Sequence, residues 1–266
     1  MIRKIHYVWL GSGKMSKNIQ HCLESWKKMM PEWEIIKWSE ENFDDHKYPF
    51  IQEAIEKKKY AFAADVIRLL VLRDVGGVYM DTDVEVIDNF EPYLNHHFCS
   101  SIEILFKKGW KNMENDIDEN GYLISNGTKV GGIGLQAGFI YAEPNHPVIT
   151  GVLKDIYQNG YRHFINLDNS LNEVIVDGML MNYLHDHYGL KYRDRTQMLD
   201  DDVCIYDSGV FSTYRTLTKR SCIIHNYEQS WNDKGVKSYK RIIQAFKRDY
   251  PALYRKVVIF KNILIK

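Results

Sequence analysis

Residues 61 to 83 constrain the fold more tightly than any other part of the chain. Ala61 to Val75 reads as one continuous helix, and Gly76 follows as a stop with left-handed geometry. Gly77-Val78-Tyr79-Met80 then reads as a short buried strand that delivers Asp81-Thr82-Asp83. A helix that turns through glycine into a buried strand is a unit of an α/β sheet, and such sheets hold their ligands at the carboxyl ends of strands.

The rest of the pattern extends this unit. Strands are expected at Ile5–Leu10, Glu34–Trp38, Val84–Val86, Phe98–Ile104, Val203–Tyr206 and Cys222–His225. Helices are expected at Asn18–Met30, Phe50–Lys58, His146–Gln158 and Glu173–Tyr188, and from Ser238 onward. Gly131 to Ala142 reads as glycine-rich hairpin or strand, and Phe106 to Asn120 as a polar excursion or lid. Strands and helices alternate through the first half, which predicts an α/β sandwich with a largely parallel central sheet.

Composition narrows the function. The formal net charge is zero, so nucleic acid is not an expected partner. From Lys234 to Lys266, however, ten Lys/Arg stand against one acid, Asp249. The four cysteines, Cys22, Cys99, Cys204 and Cys222, lack zinc or redox spacing and read as buried reduced thiols. No signal-like stretch opens the chain and no run is long enough to span a bilayer, so a cytoplasmic enzyme is expected.

Three Asp-x-Asp pairs occur: Asp81/Asp83, Asp116/Asp118 and Asp200/Asp202. Asp116/Asp118 lies in a polar stretch, and Asp200/Asp202 precedes a strand. Asp81/Asp83 alone follows a buried strand at its carboxyl end. In extended chain, residues two apart point the same way, so both carboxylates face one point. Hard oxygen ligands with room for phosphate suit Mn²⁺ or Mg²⁺. The alternative is a solvated acidic turn. On the preceding helix Asp65 and Arg68 share a face. They read either as a pair that holds a sugar hydroxyl and a phosphate, or as an ordinary surface ion pair.

Ala64-Asp65-Val66-Ile67-Arg68 followed by Gly76-Gly77-Val78-Tyr79-Met80-Asp81-Thr82-Asp83 resembles the DXD sugar-binding region of family 32 glycosyltransferases. That group includes Och1-like mannosyltransferases and capsular polysaccharide transferases, and the large clostridial glucosylating toxins share its arrangement. Ile5-His6-Tyr7-Val8-Trp9-Leu10-Gly11 and Ser230-Trp231 after His225 fit the same resemblance. It is close over residues 2 to 90 and returns near 138–147 and 222–231.

The resemblance implies a GT-A-type fold and a site. Trp9, with the backbone around Val8, would stack on the nucleotide base, and Tyr79 would line the base and ribose pocket. Asp65 and Arg68 would contact the donor sugar and its phosphate region. Asp81 would meet ribose and the metal or its water, and Thr82 lies between the two acids on the donor side. Asp83 would bind the metal directly, and His225 or its neighbour would complete the metal shell. Ser230 and Trp231 would close over the diphosphate as a lid. The stretch 173–178 departs from the family pattern and leaves the acceptor side open. Asp177 either faces the acceptor or is a plain helix acid.

The reading is a metal-dependent transfer of a hexose or N-acetylhexosamine, with retention, from a nucleotide sugar to a saccharide or lipid-linked saccharide acceptor. The donor expected is a UDP-sugar. The catalytic domain is expected at residues 1–236, with a basic helical tail at 237–266. The rivals are a non-catalytic nucleotide-sugar-binding subunit and a metal-dependent phosphohydrolase. Tyr239, Ile242, Ile243, Phe246, Tyr250, Leu253, Tyr254, Val257 and Val258 form one apolar stripe in the tail. That stripe either lies on an anionic membrane or packs on the catalytic domain.

Overall fold

The computed structural model describes residues 1–104, 117–122, 132–158, 162–172, 176–228, 246–247 and 250–264. The helices are α1 (Lys17–Met29), α2 (Pro49–Glu56), α3 (Tyr60–Asp74), α4 (Pro147–Gln158), α5 (Val176–Tyr188) and α6 (Pro251–Leu264). The strands are β1 (Lys4–Val8), β2 (Glu34–Trp38), β3 (Gly77–Met80), β4 (Val84–Val86), β5 (Phe98–Ile104) and β6 (Ile133–Leu135). They continue with β7 (Phe139–Ala142), β8 (Gln197–Leu199), β9 (Val203–Tyr206), β10 (Phe211–Thr213) and β11 (Ile223–His225).

The main sheet has the order β2-β1-β3-β7-β5-β9-β8, with β6 added on β5. β1 is parallel to β2 and β3, and β5 is parallel to β9, while β7 runs antiparallel to both β3 and β5. It follows that β2, β1, β3, β5 and β9 all point the same way. This is the mixed α/β architecture, with a mostly parallel central sheet, that the alternation of elements predicts. A second sheet, β10-β11-β4, packs beside it.

Two apolar clusters make the core. One gathers Ile67, Leu70, Ile140, Val152 and Leu180, and the other gathers Ile5, Trp26, Val84, Phe139 and Ile223. Each such side chain taken from water contributes roughly 1.5–3 kcal/mol. α3 is buried on almost every side, which explains its apolar run Val66-Ile67 and Leu69–Leu72. α1 is capped by Ser16, whose hydroxyl accepts from Ile19 N. It fixes β4 through two bonds: Trp26 Nε1 donates to Val84 O at 2.7 Å, and Val86 N donates to Ser25 Oγ at 2.9 Å. The strand after the two aspartates is thereby tied to the domain.

Gly76 has φ +71°, as its expected stop geometry requires, and a Cβ there would lie 2.6 Å from Pro144 Cδ. All four cysteines are free and buried. No helix among the described residues is long and apolar enough to cross a membrane.

The tail divides the two readings of its stripe. Asn262 Nδ2 donates to Tyr214 O and Leu217 O, and the Tyr254 ring packs edge-on against Tyr214, so one face of α6 docks on the body. Leu253, Val257, Phe260 and Leu264, by contrast, are 53%, 57%, 65% and 69% exposed. The part of the stripe on α6 is therefore two faces in space, because Tyr254 and Leu253 point to different sides of the helix, while Tyr239, Ile242 and Ile243 lie outside the described residues.

Candidate active site

The site forms where β3 ends. Asp81, Thr82 and Asp83 make the turn between β3 and β4. Asp81 N donates to Gly138 O at 3.0 Å, and Val84 N donates back to Asp81 O at 3.0 Å. β11 runs antiparallel to β4 with His225 opposite Val84, and Asn226 N donates to Asp83 O at 3.1 Å. This pairing brings the third expected ligand to the first two. His225 Nε2 lies 3.3 Å from Asp83 Oδ1 and 3.8 Å from Asp81 Oδ2. One ligand atom from each of the three residues lies within 4.8 Å of the others.

Two carboxylates and an imidazole suit a divalent cation of the Mn²⁺ or Mg²⁺ type, with oxygen the better match for either. The electrostatics agree. Burial pushes the Asp83 carboxyl up, but His225 and hydrogen bonding outweigh it and hold the carboxyl below its usual range. Burial opposes charge on His225, yet Asp83 and Glu103 raise its pKa well above the ordinary value.

α3 provides the neighbouring charge. Arg68 Nη2 lies 2.7 Å from Asp65 Oδ1 and 3.1 Å from Asp81 Oδ1, and Nη1 donates to Ala137 O at 2.7 Å. Arg68 is only 6% exposed, so the pair with Asp65 is no ordinary surface ion pair. Burial lowers the guanidinium pKa, and Asp81, Tyr79 and Asp65 more than reverse this. Burial pushes Asp65 up to about 7 against the pull of Arg68. Arg68 Nε has no partner in the structure, which leaves an unused donor beside the two acids.

Tyr79 hydroxyl donates to Asp81 Oδ1 at 3.0 Å, and its ring lies beneath Arg68, 4.6 Å from the guanidinium carbon. The expectation for Tyr79 was a base and ribose wall. At 2% exposure its ring instead supports Arg68 and Asp81. Val8 is buried at the end of β1, and Trp9 follows half-buried, its Nε1 donating to Gly13 O at 3.1 Å. Thr82 sits between the two aspartates in the turn. Ser230 and Trp231 lie outside the described residues. Asp177 begins α5, and burial raises its pKa.

The described residues of the other Asp-x-Asp pairs do not join this site. Asp202 Oδ1 lies 2.7 Å from His96 Nδ1, away from the aspartate turn, and Asp200 precedes β9. Asp118 accepts from Asn120 N and Tyr122 N, while Asp116 lies outside the described residues.

The sequence missed several neighbours of His225. Gln136 Oε1 lies 3.0 Å from its Nδ1, and Glu103 Oε1 lies 3.6 Å away. Tyr227 stacks on the imidazole at 4.2 Å and bonds Glu103 through its hydroxyl. A carboxylate within the apolar strand Phe98–Ile104 was the available signal for Glu103, because lone acids are seldom buried without a role.

The chain is similar to known proteins over parts of its length. Residues 16–99 match the family described as "Glycosyltransferase sugar-binding region containing DXD motif". That stretch holds α3, Asp81 and Asp83. A curated relative, Toxin Afp18 of Yersinia ruckeri, is 31% identical over 115 residues, which cover 30% of this chain. The match spans about 5% of that toxin's length. Among solved structures, PaToxG glycosyltransferase is 17% identical with a TM-score of 0.44, covering 70% of this chain and 69% of its own. Galactosyltransferase LgtC, solved with donor and acceptor sugar analogs, is 12% identical with a TM-score of 0.45, covering 91% of this chain and 94% of its own.

Proposed function

We propose that this chain is a metal-dependent, GT-A-type glycosyltransferase of the family 32 kind. It moves a hexose or N-acetylhexosamine from a nucleoside-diphosphate sugar, with UDP as the nucleotide, to a saccharide or lipid-linked saccharide acceptor. The observation that carries the reading is the convergence of Asp81, Asp83 and His225, backed by the buried Arg68–Asp65 pair. Residues 1–236 form the catalytic domain and 237–266 the tail.

Mn²⁺ or Mg²⁺, held by Asp81, Asp83 and His225, would neutralise the diphosphate leaving group. The chain's own residues do the rest. Arg68 adds fixed positive charge that costs no reorganisation as negative charge develops. Asp65 is placed to accept from a sugar hydroxyl. Trp9 and the backbone of Val8 hold the base, and Ser230 and Trp231 close over the diphosphate.

We favour substitution with retention on one face of the sugar. The bond from the anomeric carbon to phosphate oxygen breaks, the bond to the acceptor oxygen forms, and the acceptor proton passes to the leaving phosphate. In support, the nearby described carboxylates are already engaged. Asp65 pairs with Arg68, Glu103 accepts from Tyr227, and Asp177 accepts from Gly178 N.

The setting is cytoplasmic synthesis of capsular or other surface polysaccharide, with peripheral contact at an anionic membrane. The outward apolar face of α6 supports that contact. Turnover of a panel of nucleotide sugars with Mn²⁺ tests the function. Release of UDP that requires an acceptor sugar is the expected result. Binding without turnover would indicate a non-catalytic nucleotide-sugar-binding subunit instead.

A further inference from the structure

The chain between β6 and β7 touches three parts of the site in three consecutive residues. Gln136 Oε1 reaches His225 Nδ1 at 3.0 Å, Ala137 O accepts from Arg68 Nη1 at 2.7 Å, and Gly138 O accepts from Asp81 N at 3.0 Å. The tripeptide is itself held by β5. Gln136 N donates to Ser101 O at 2.8 Å, and Ser100 Oγ donates to Gln136 O at 3.0 Å. Its two peptide carbonyls place the guanidinium and the aspartate turn, so its one long side chain is left to act on the imidazole.

We propose that Gln136 is a positioning residue for the cation, holding His225 in the tautomer whose Nε2 lone pair faces Asp81 and Asp83. The proposal rests on the metal reading above and adds the group that enforces it.

The tautomer follows from a donor that cannot change its role. Gly138 N–H can only donate, and its acceptor, 3.2 Å away, is Gln136 Oε1. Turning the amide over would set its NH₂ against that N–H, donor against donor. The same oxygen meets His225 Nδ1, so Nδ1 must carry hydrogen. In the neutral ring the lone pair then lies on Nε2, 3.3 Å from Asp83 Oδ1. Gln136 Nε2 is buried without a partner, so the amide keeps this orientation for its oxygen alone.

The ring is also held in place. Tyr227 stacks on it at 4.2 Å. At Gly138 a Cβ would lie 3.0 Å from Gln136 Oε1 and 3.0 Å from His225 Nδ1, so a methyl there would push the amide or the ring aside by a few tenths of an ångström. Partners behind a metal-binding histidine fix ring orientation and basicity in this way.

Calorimetric titration of the full chain with Mn²⁺ alone tests the proposal, with melting curves of the metal-free proteins run alongside. His225→Ala should weaken Mn²⁺, which establishes the ligand. Gln136→Leu should weaken Mn²⁺ by about 10–100-fold, the range seen when such partners are removed. Gln136→Glu keeps an acceptor toward Nδ1 and should stay within about threefold of wild type, well short of that loss. Nitrogen coupling to bound Mn²⁺, read by electron spin-echo spectroscopy, should fall in Gln136→Leu and persist in Gln136→Glu. Should Gln136→Leu fail to fold, Gly138→Ala serves as the second variant, because its methyl presses on the ring and should also weaken Mn²⁺. Wild-type Mn²⁺ affinity in whichever variant folds, with His225→Ala impaired, would overturn the positioning role. Wild-type affinity in His225→Ala would overturn the ligand assignment and this proposal with it.

Discussion

Arg68 Nη2 stands 3.1 Å from Asp81 Oδ1, so one guanidinium joins α3 to the aspartate turn. The same nitrogen lies 2.7 Å from Asp65 while Nη1 donates to Ala137 O at 2.7 Å, and holding all three takes the planar two-nitrogen fork of arginine. Arg68→Lys should therefore lower turnover about tenfold or more, equivalent to roughly 1.4 kcal/mol of transition-state stabilisation. Steady-state kinetics with the best nucleotide sugar checks this. Full activity in the lysine variant would show that the fork is not used.

Asp65 predicts a pH dependence of stability. Its carboxyl is pushed up to about 7 in the folded protein, above its usual value in the unfolded chain. Between those two values the folded state holds the extra proton. Its contribution is present at low pH and is lost as pH rises toward 7. In EDTA-treated protein, stability from urea unfolding should fall more steeply between pH 4 and 8 in wild type than in Asp65→Asn. Equal slopes would mean that Asp65 titrates normally.

The strongest elements were legible because local pattern and burial agree there. α3, Gly76 and β3 were each expected within a residue or two, and Glu34–Trp38, Phe98–Ile104 and Val203–Tyr206 match their expected bounds. β8 and β10, three residues each, were not expected. In the site, Asp65, Arg68, Asp81 and Asp83 could be read from one continuous stretch, and the resemblance pointed to His225. Gln136 could not, since its role depends on β6 and β7 bringing a distant amide beside β11. The resemblance implied a place for Tyr79 against the nucleotide. Only packing shows Arg68 lying over its ring.

Trp231 is expected to exclude water from the donor when its segment closes. Trp231→Ala should slow transfer and raise the share of donor lost to hydrolysis. A transfer-to-hydrolysis ratio equal to wild type would remove the lid role.

The outward face of α6 predicts membrane contact. Lys256 and Lys261 flank its apolar stripe and the helix carries no acid, which suits an anionic surface. Full-length protein should float with anionic vesicles at low salt and be released at high salt. Phe260→Asp with Leu264→Asp should abolish flotation without unfolding the domain, since both side chains are exposed. Unchanged flotation in that double variant would move the contact elsewhere.

Asp83 is expected to hold the cation that binds the diphosphate. Asp83 Oδ2 also accepts from Glu228 N at 2.7 Å, so Asp83→Asn keeps that acceptor while removing the charge. Titration of UDP in the presence of Mn²⁺ compares this variant with wild type and with Asp200→Ala, whose carboxylate lies outside the site. The account predicts that Asp83→Asn loses Mn²⁺-dependent UDP binding and that Asp200→Ala keeps it. Unchanged Mn²⁺-dependent affinity in Asp83→Asn would contradict the account.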